Sequence, residues 1–232
     1  MAGLKGLGRH YHPMKVGLVS DVHGNRIALE AVFDDVPDVD ALVCAGDVVG
    51  YNPWHADCVA AMRSRDVPTV SGNHDRAVAA EGSFAFNSVA AAGVDHAREQ
   101  LDDDQVAWLR DLPTHRRLLD GRLRVVHGHP DDPDRYTYAR TFSADLLDGA
   151  DALVLGHTHV QEHRHVGDGV VVNPGSVGQP RDGDPRAAYA VLDLEDLTVD
   201  ERRVAYDVDA VVAAVREAGL PERIGTRLRD GN

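Results

Sequence analysis

Val16-Gly17-Leu18-Val19-Ser20-Asp21-Val22-His23-Gly24-Asn25 decides the fold class of this chain. A short apolar run breaks off abruptly into a loop carrying a carboxylate, an imidazole and an amide. Ile27, Leu29, Ala31, Val32 and Phe33 follow with the spacing of a helix, which stops before Pro37. Strand, polar loop and helix together form the opening unit of an α/β sheet. The same grammar recurs downstream. The strand 41–45 runs into Gly46-Asp47, and the short strand 67–70 precedes Gly72-Asn73-His74-Asp75. The strand 122–126 ends in His127-Gly128-His129, and the strand 152–155 ends in Gly156-His157-Thr158-His159.

Between these strands, helices are expected over about 54–65 and 86–111, with a closing helix over 207–219. From 160 to 206 short β-rich runs dominate, with turn signals at Gly167-Asp168-Gly169 and Gly183-Asp184-Pro185. Residues 1–13 show no periodicity and are expected to be a disordered arm or a mis-called start. A single domain is expected over 14–232, a length that supports one sizeable core.

Composition narrows the function classes. The chain has 232 residues, 43% of them hydrophobic, and no apolar run approaches a membrane span. No signal-peptide pattern is present at the N-terminus, so a cytoplasmic location is expected. Cys44 and Cys58 are the only cysteines, and both are expected to be buried free thiols. The formal charge of −14 disfavours nucleic acid as a partner, and so does an aromatic content of only 5%. Acid is mostly Asp, and the only lysines are Lys5 and Lys15, a balance expected of a salt-adapted source or of a GC-rich genome. The first explanation has a test. Screening should relieve self-repulsion of such a surface, so the melting temperature should be higher in molar KCl than in dilute buffer. A melting temperature unchanged or lowered by salt leaves genome composition as the cause.

The loops carry the chemistry. In open α/β sheets ligands bind outside the carboxyl ends of the strands. Loops delivering Asp, His and Asn to one such edge would form a metal nest. No cysteine takes part, which sets aside structural zinc and iron–sulfur sites. Mixed carboxylate, imidazole and amide oxygen suit Mn, Fe, Zn or Co. Each piece alone has a bland explanation. Gly-Asp after a strand is usually a turn, Asn or Asp in GNHD can cap a helix, and His-X-His on a strand is often a surface pair. Their joint occurrence, in order and each at a strand end, does not.

This ordered set (DxH, GD, GNHD, H, GHTH) resembles that of the calcineurin-like metallophosphoesterases. The stretch Asn173-Pro174-Gly175-Ser176-Val177-Gly178-Gln179-Pro180-Arg181 resembles the smaller prokaryotic branch that includes the YfcE-like phosphodiesterases. The similarity runs from about residue 14 to the C-terminus. It implies a four-layer α/β sandwich, with two central mixed β-sheets flanked by helices. It also implies two divalent metal ions, manganese first and Fe, Zn, Ni, Co or Mg as alternatives. Asp21, His23 and His159 would hold one ion, Asp47 would bridge, and Asn73, His127 and His157 would complete the second site. A bridging hydroxide would attack the phosphorus of a small phosphodiester or phosphomonoester in line. His74 would contact the phosphate and protonate the leaving oxygen, with Asp75 orienting its imidazole. Asn25, Arg76 and Arg181 are the expected substrate-side residues, and Tyr51, Phe86 and Asn87 are expected at the pocket border. His129 is expected to line the mouth or face solvent, His163 and His165 to form a surface pair, and His55, His96 and His115 to be structural or exposed. A protein phosphatase, a nuclease and a non-catalytic scaffold on the same fold are the alternatives, and a homo-oligomer is open.

Overall fold

The computed structural model describes residues 14–80 and 86–232, so the expectation for residues 1–13 lies outside it. Its strands are β1 (Lys15–Val19), β2 (Ala41–Cys44), β3 (His115–Leu118), β4 (Leu123–Val126), β5 (Ala152–Val154), β6 (Gln161–Val166), β7 (Gly169–Pro174), β8 (Ala187–Asp193) and β9 (Val199–Val204). The helices are α1 (Arg26–Asp35), α2 (His55–Ser64), α3 (Asn73–Ala79), α4 (Ser88–Gln100), α5 (Asp103–Asp111), α6 (Val208–Glu217) and α7 (Arg223–Thr226). One sheet has the order β2-β1-β8-β9 and the other β3-β4-β5-β7-β6. Both are mixed. β1 and β2 run parallel, as do β4, β5 and β7, and the other pairings are antiparallel.

Alternation along the strands builds the layers, because successive side chains point to opposite faces. Val16 and Leu18 of β1, Ala190 and Leu192 of β8, Val154 of β5 and Val172 of β7 meet in the core between the sheets. The other face of the first sheet sends Val19, Cys44, Tyr189 and Val191 into a core shared with Leu29 and Val32 of α1 and with Cys58 and Met62 of α2. On the far side, Leu153, Leu155 and Val171 are covered by Phe142 and Leu147. The four-layer sandwich of two mixed sheets flanked by helices is therefore present. Its outer layer on the second sheet is thin, made of the 3-10 turns Ala139–Thr141 and Ala144–Leu147. Among the described residues no helix is long and apolar enough to cross a membrane.

Three local expectations are corrected. The single helical stretch over 86–111 is two helices, α4 and α5. Asp102 separates them: its side chain accepts from the Gln105 N–H at 2.8 Å while the Gln105 side chain accepts from the Asp102 N–H at 3.2 Å. That reciprocal cap starts a new helix. The stretch 67–70 reaches the sheet only through a bridge of Thr69 to Cys44. Pro68 within it has no N–H to donate to a ladder. β3 was not expected, because His-Arg-Arg-Leu lacks apolar alternation. It pairs with β4 at a sheet edge, where charged side chains are the usual protection against edge pairing.

Candidate metal centre

The loops after β1, β2, β4 and β5 and the turn that follows the bridged stretch 67–70 come together at one edge of the sandwich. The loop after β1 is stitched to the loop after β2. Asp21 N–H donates to the Gly46 carbonyl at 2.9 Å, and His23 N–H to the Asp47 carbonyl at 2.9 Å. The sheets are joined across the same edge. His157 N–H donates to Asp21 Oδ2 at 3.0 Å, and the His127 Nδ1–H to the Ala45 carbonyl at 2.8 Å. This stitching holds a costly backbone. Asp21 (φ 53°), His23 (50°), Asp47 (54°), His157 (68°) and His159 (60°) are all left-handed. Each such non-glycine residue costs on the order of 1 kcal/mol, and such outliers gather where a function needs them. Gly72 makes room for the turn that follows, because a Cβ there would lie 1.9 Å from Asp47 Oδ1.

The side chains converge. His159 Nε2 lies 3.2 Å from Asp21 Oδ1 and 3.1 Å from His23 Nε2. His23 Nε2 lies 3.6 Å from both Asp21 Oδ1 and Asp47 Oδ2. On the other side of Asp47, His127 Nε2 lies 3.4 Å from Oδ2, 3.2 Å from Asn73 Oδ1 and 3.1 Å from His157 Nδ1. Three groups result, Asp21-His23-His159, Asp47-His127-His157 and, between them, His23-Asp47-His74. All seven expected ligands are thus brought together, with Asp47 between the two halves.

Hydrogen bonds on the outer side of each ring decide which way the imidazoles face. His23, His127 and His159 donate Nδ1–H to the carbonyls of Val49 (3.1 Å), Ala45 (2.8 Å) and Gln179 (2.6 Å). His157 is turned over, donating Nε2–H to the Asp134 carbonyl at 3.0 Å and presenting Nδ1 inward. A carbonyl behind each ring fixes its orientation and aims the other nitrogen at the cluster, the usual support of a metal-binding histidine.

Charge makes the same point. Burial alone would raise Asp21 and Asp47, but the flanking imidazoles, His159 and His127 respectively, outweigh it and hold both carboxyls well below their ordinary range. Burial lowers His159 to about 3, with the charge of Arg181 adding to it. Burial also works against a charge on His127, yet Asp47 more than offsets this and draws it up to about 9. Asp21 Oδ1 is buried without a hydrogen-bond partner and lies 3.2 Å from His159 Nε2, whose other nitrogen already serves the Gln179 carbonyl. A buried carboxylate oxygen and an imidazole nitrogen held together in this way fit a cation. The donor set of carboxylate, imidazole and amide oxygen fits divalent Mn, Fe, Zn or Co.

His74 adjoins the cluster. It packs against His23, Tyr51 and Phe86 with ring centroids 4.7–4.8 Å away, and its Nδ1 has no hydrogen-bond partner. Burial holds it well below the ordinary histidine range. It lines a cleft of about 370 Å3 together with Asp47, Asn73, His157 and Arg181. Tyr51, Phe86 and Asn87 are also in its walls.

The remaining candidates find other partners. Asp75 does not orient the His74 ring. Its carboxylate accepts from the backbone N–H groups of Asp47, Val48, Val49 and Gly72, and so shapes the loop that carries Asp47. Asn25 is fully buried. It caps α1 by accepting from the Ala28 N–H at 3.1 Å and donates to the Gly178 carbonyl at 3.0 Å. Arg76 is not in the cleft wall; its guanidinium is taken by Asp134 and by the Ser71 carbonyl. His129 lies outside the cleft and closes its own turn, accepting from the Asp131 N–H at 3.1 Å. His163 pairs with Glu201 at 2.6 Å, and buried His55 accepts from the Gly50 N–H and meets His96 at 3.1 Å.

Some contributors had no recognised role in the sequence. Ser176 donates Oγ–H to the Asp21 carbonyl at 2.7 Å, and Asn173 donates to the Gly156 carbonyl and Thr158 Oγ1 at 2.8 and 2.9 Å. The stretch quoted for its resemblance therefore braces both ligand loops. Tyr136 and Asp134 join the cleft from the loop after His129, whose proline- and acid-rich sequence gives no signal for it.

An α/β sandwich with Asp, His and Asn gathered at the carboxyl edge of both sheets presents side chains that could hold divalent metal ions. Residues 14–197 match the model of the calcineurin-like phosphoesterase superfamily domain, and the chain belongs to that superfamily, whose chemistry is hydrolysis of phosphate esters. The crystal structure of a metallophosphoesterase from Sphaerobacter thermophilus superimposes with a TM-score of 0.82 at 36% identity, covering 95% of this chain and 100% of that one. The phosphodiesterase YfcE of Escherichia coli K12 is 28% identical over 207 residues, 87% of this chain and 97% of that protein. An uncharacterised protein of Methanocaldococcus jannaschii, MJ0912, is 28% identical over 234 residues, 92% of this chain and 96% of that protein.

Proposed function

We propose that this chain is a metal-dependent phosphoesterase of small phosphodiesters or phosphomonoesters, working in the cytoplasm of a salt-adapted cell. One observation carries the reading. Four imidazoles, each backed by a carbonyl, face two buried carboxylates, and Asp21 Oδ1 is left without a donor. Asp21, His23 and His159 would hold one divalent ion, Asn73, His127 and His157 the other, and Asp47 both, with manganese the leading metal. Such ions neutralise phosphate charge and activate water near neutral pH. The rest falls to the chain. His74, neutral and unpartnered at Nδ1, lines the cleft where a phosphate oxygen or a leaving oxygen would sit. Arg181 stands there with its guanidinium on Gln179 Oε1 (2.7 Å) and the Tyr51 hydroxyl (3.2 Å), and it has no carboxylate partner among the described residues. It is placed to take a phosphate oxygen.

The net charge of −14, with Asp134 in the cleft wall, gives no long-range attraction for a polyanion. With Mn2+ added, p-nitrophenyl esters and small diesters should be hydrolysed, while long DNA is cut poorly or not at all. All substrates must be assayed at one salt and one metal concentration, because salt screens DNA binding. Efficient DNA cleavage under conditions that spare small diesters would overturn this reading in favour of a nuclease.

A further inference from the structure

The chain is only 5% aromatic, yet Tyr51, Phe86 and Tyr136 all line the one cleft beside the metal cluster. Tyr51 and Phe86 pack on the His74 ring. Tyr136 comes from a different loop and lies flat on His157, with ring centroids 4.2 Å apart and planes 18° apart. The His157 ring beneath is itself fixed by the Asp134 carbonyl. Tyr138 runs nearly parallel to Tyr136 at 6.4 Å, and the Arg140 guanidinium sits 4.8 Å over Tyr138. Despite this support, Tyr136 is 52% exposed, the large apolar side chain left open among the described residues.

A ring held in place at the mouth of a reactive cleft, with half its surface in water, is pre-organised to stack. Aromatic faces gain most from another flat ring, and a nucleobase is the commonest such group attached to a phosphate ester. The surrounding charge limits the size of that ester. Asp134 in the cleft wall is already paired with Arg76, and Arg181 is the cleft's own cation without a carboxylate partner among the described residues. One phosphate can be accommodated, whereas a long chain of them meets an acidic protein.

We propose that Tyr136 determines specificity by seating a planar aromatic group of the substrate, so that the preferred esters are of mononucleotide size. The proposal rests on the phosphoesterase reading of this cleft. A purely structural Tyr136 would shield His157 and treat all phosphates alike. Adenosine 5′-monophosphate and ribose 5-phosphate separate the two roles, because they share the sugar phosphate and differ in the base.

The test is calorimetric titration of both compounds into the manganese-loaded protein, with hydrolysis of methyl p-nitrophenyl phosphate and bound manganese measured in parallel. The nucleotide should bind about 5- to 150-fold more tightly than the sugar phosphate, the range expected for one stacked base. Tyr136→Leu should bring that ratio close to one with manganese retained, while Tyr136→Phe keeps it. Because Tyr136 is half exposed, both variants should fold, which circular dichroism checks. Equal binding of the two compounds by the unmodified protein overturns the proposal. So does a ratio unchanged in Tyr136→Leu, or an equal loss of both ligands together with manganese. Failure of the unmodified protein to hydrolyse the diester is a separate result, which counts against the phosphoesterase reading itself.

Discussion

Asp47→Asn should fold, bind metal at least about 10²-fold more weakly, and hydrolyse phosphate esters at background rate. Even residues that only support a metal ligand are typically worth 10–100-fold in affinity, and Asp47 stands closer than that. Its Oδ2 lies 3.4 Å from His127 Nε2 and 3.6 Å from His23 Nε2, and its Oδ1 accepts the His74 N–H at 2.8 Å. Asparagine keeps the shape and removes the charge. Its NH2 group would also turn a donor either toward nitrogens that should face a cation or toward the His74 N–H. Elemental analysis gives the metal content, and circular dichroism separates loss of metal from loss of fold. A full metal complement in an active Asp47→Asn protein would sink the assignment of Asp47 to both ions.

His74→Ala should keep its metals and lose rate by about 10²–10⁴-fold, the usual worth of a general acid. The loss should be greater for esters with alkyl leaving groups than for p-nitrophenyl esters, whose phenolate departs with little protonation. His74 fits this role by its place beside the cleft, and the negative charge of a bound phosphate would have to restore the proton that burial disfavours. It lines the cleft, its Nδ1 is unpartnered, and none of its ring atoms is tied to a carbonyl in the manner of the four histidines around the carboxylates. It also lies near His23 and Asp47, within 4.8 Å at the ligand atoms, so metal content must be measured in the variant. Equal losses for both leaving groups would assign His74 to holding the phosphate. Loss of metal would make it a ligand.

The corrections at the site share a physical cause. Asp75 and Asn25 have the chemistry of functional residues, but both are buried where backbone N–H groups need acceptors or helix ends need caps. A carboxylate that satisfies three amides of the Asp47 loop and that of Gly72 has no lone pair to spare for an imidazole. Arg76 was expected to meet phosphate, but a carboxylate on a distant loop reaches it first. Which partner a polar side chain finds depends on loops far away in sequence, and spacing along the chain carries no information about them.

What the sequence determined by itself was local and repetitive. Apolar strands broken by Asp, His and Asn loops settle an α/β sheet and a metal-binding edge, because strand alternation and ligand chemistry act within a few residues. What only the tertiary structure decided was how those loops close on one another. It set the left-handed backbone at Asp21, His23, Asp47, His157 and His159, and the carbonyl behind each ring of the four clustered histidines. It also brought Tyr136, from a loop with no signal for it, into the cleft where Tyr51 and Phe86 are expected. Composition averages over the whole surface, whereas folding concentrates a few side chains at one point.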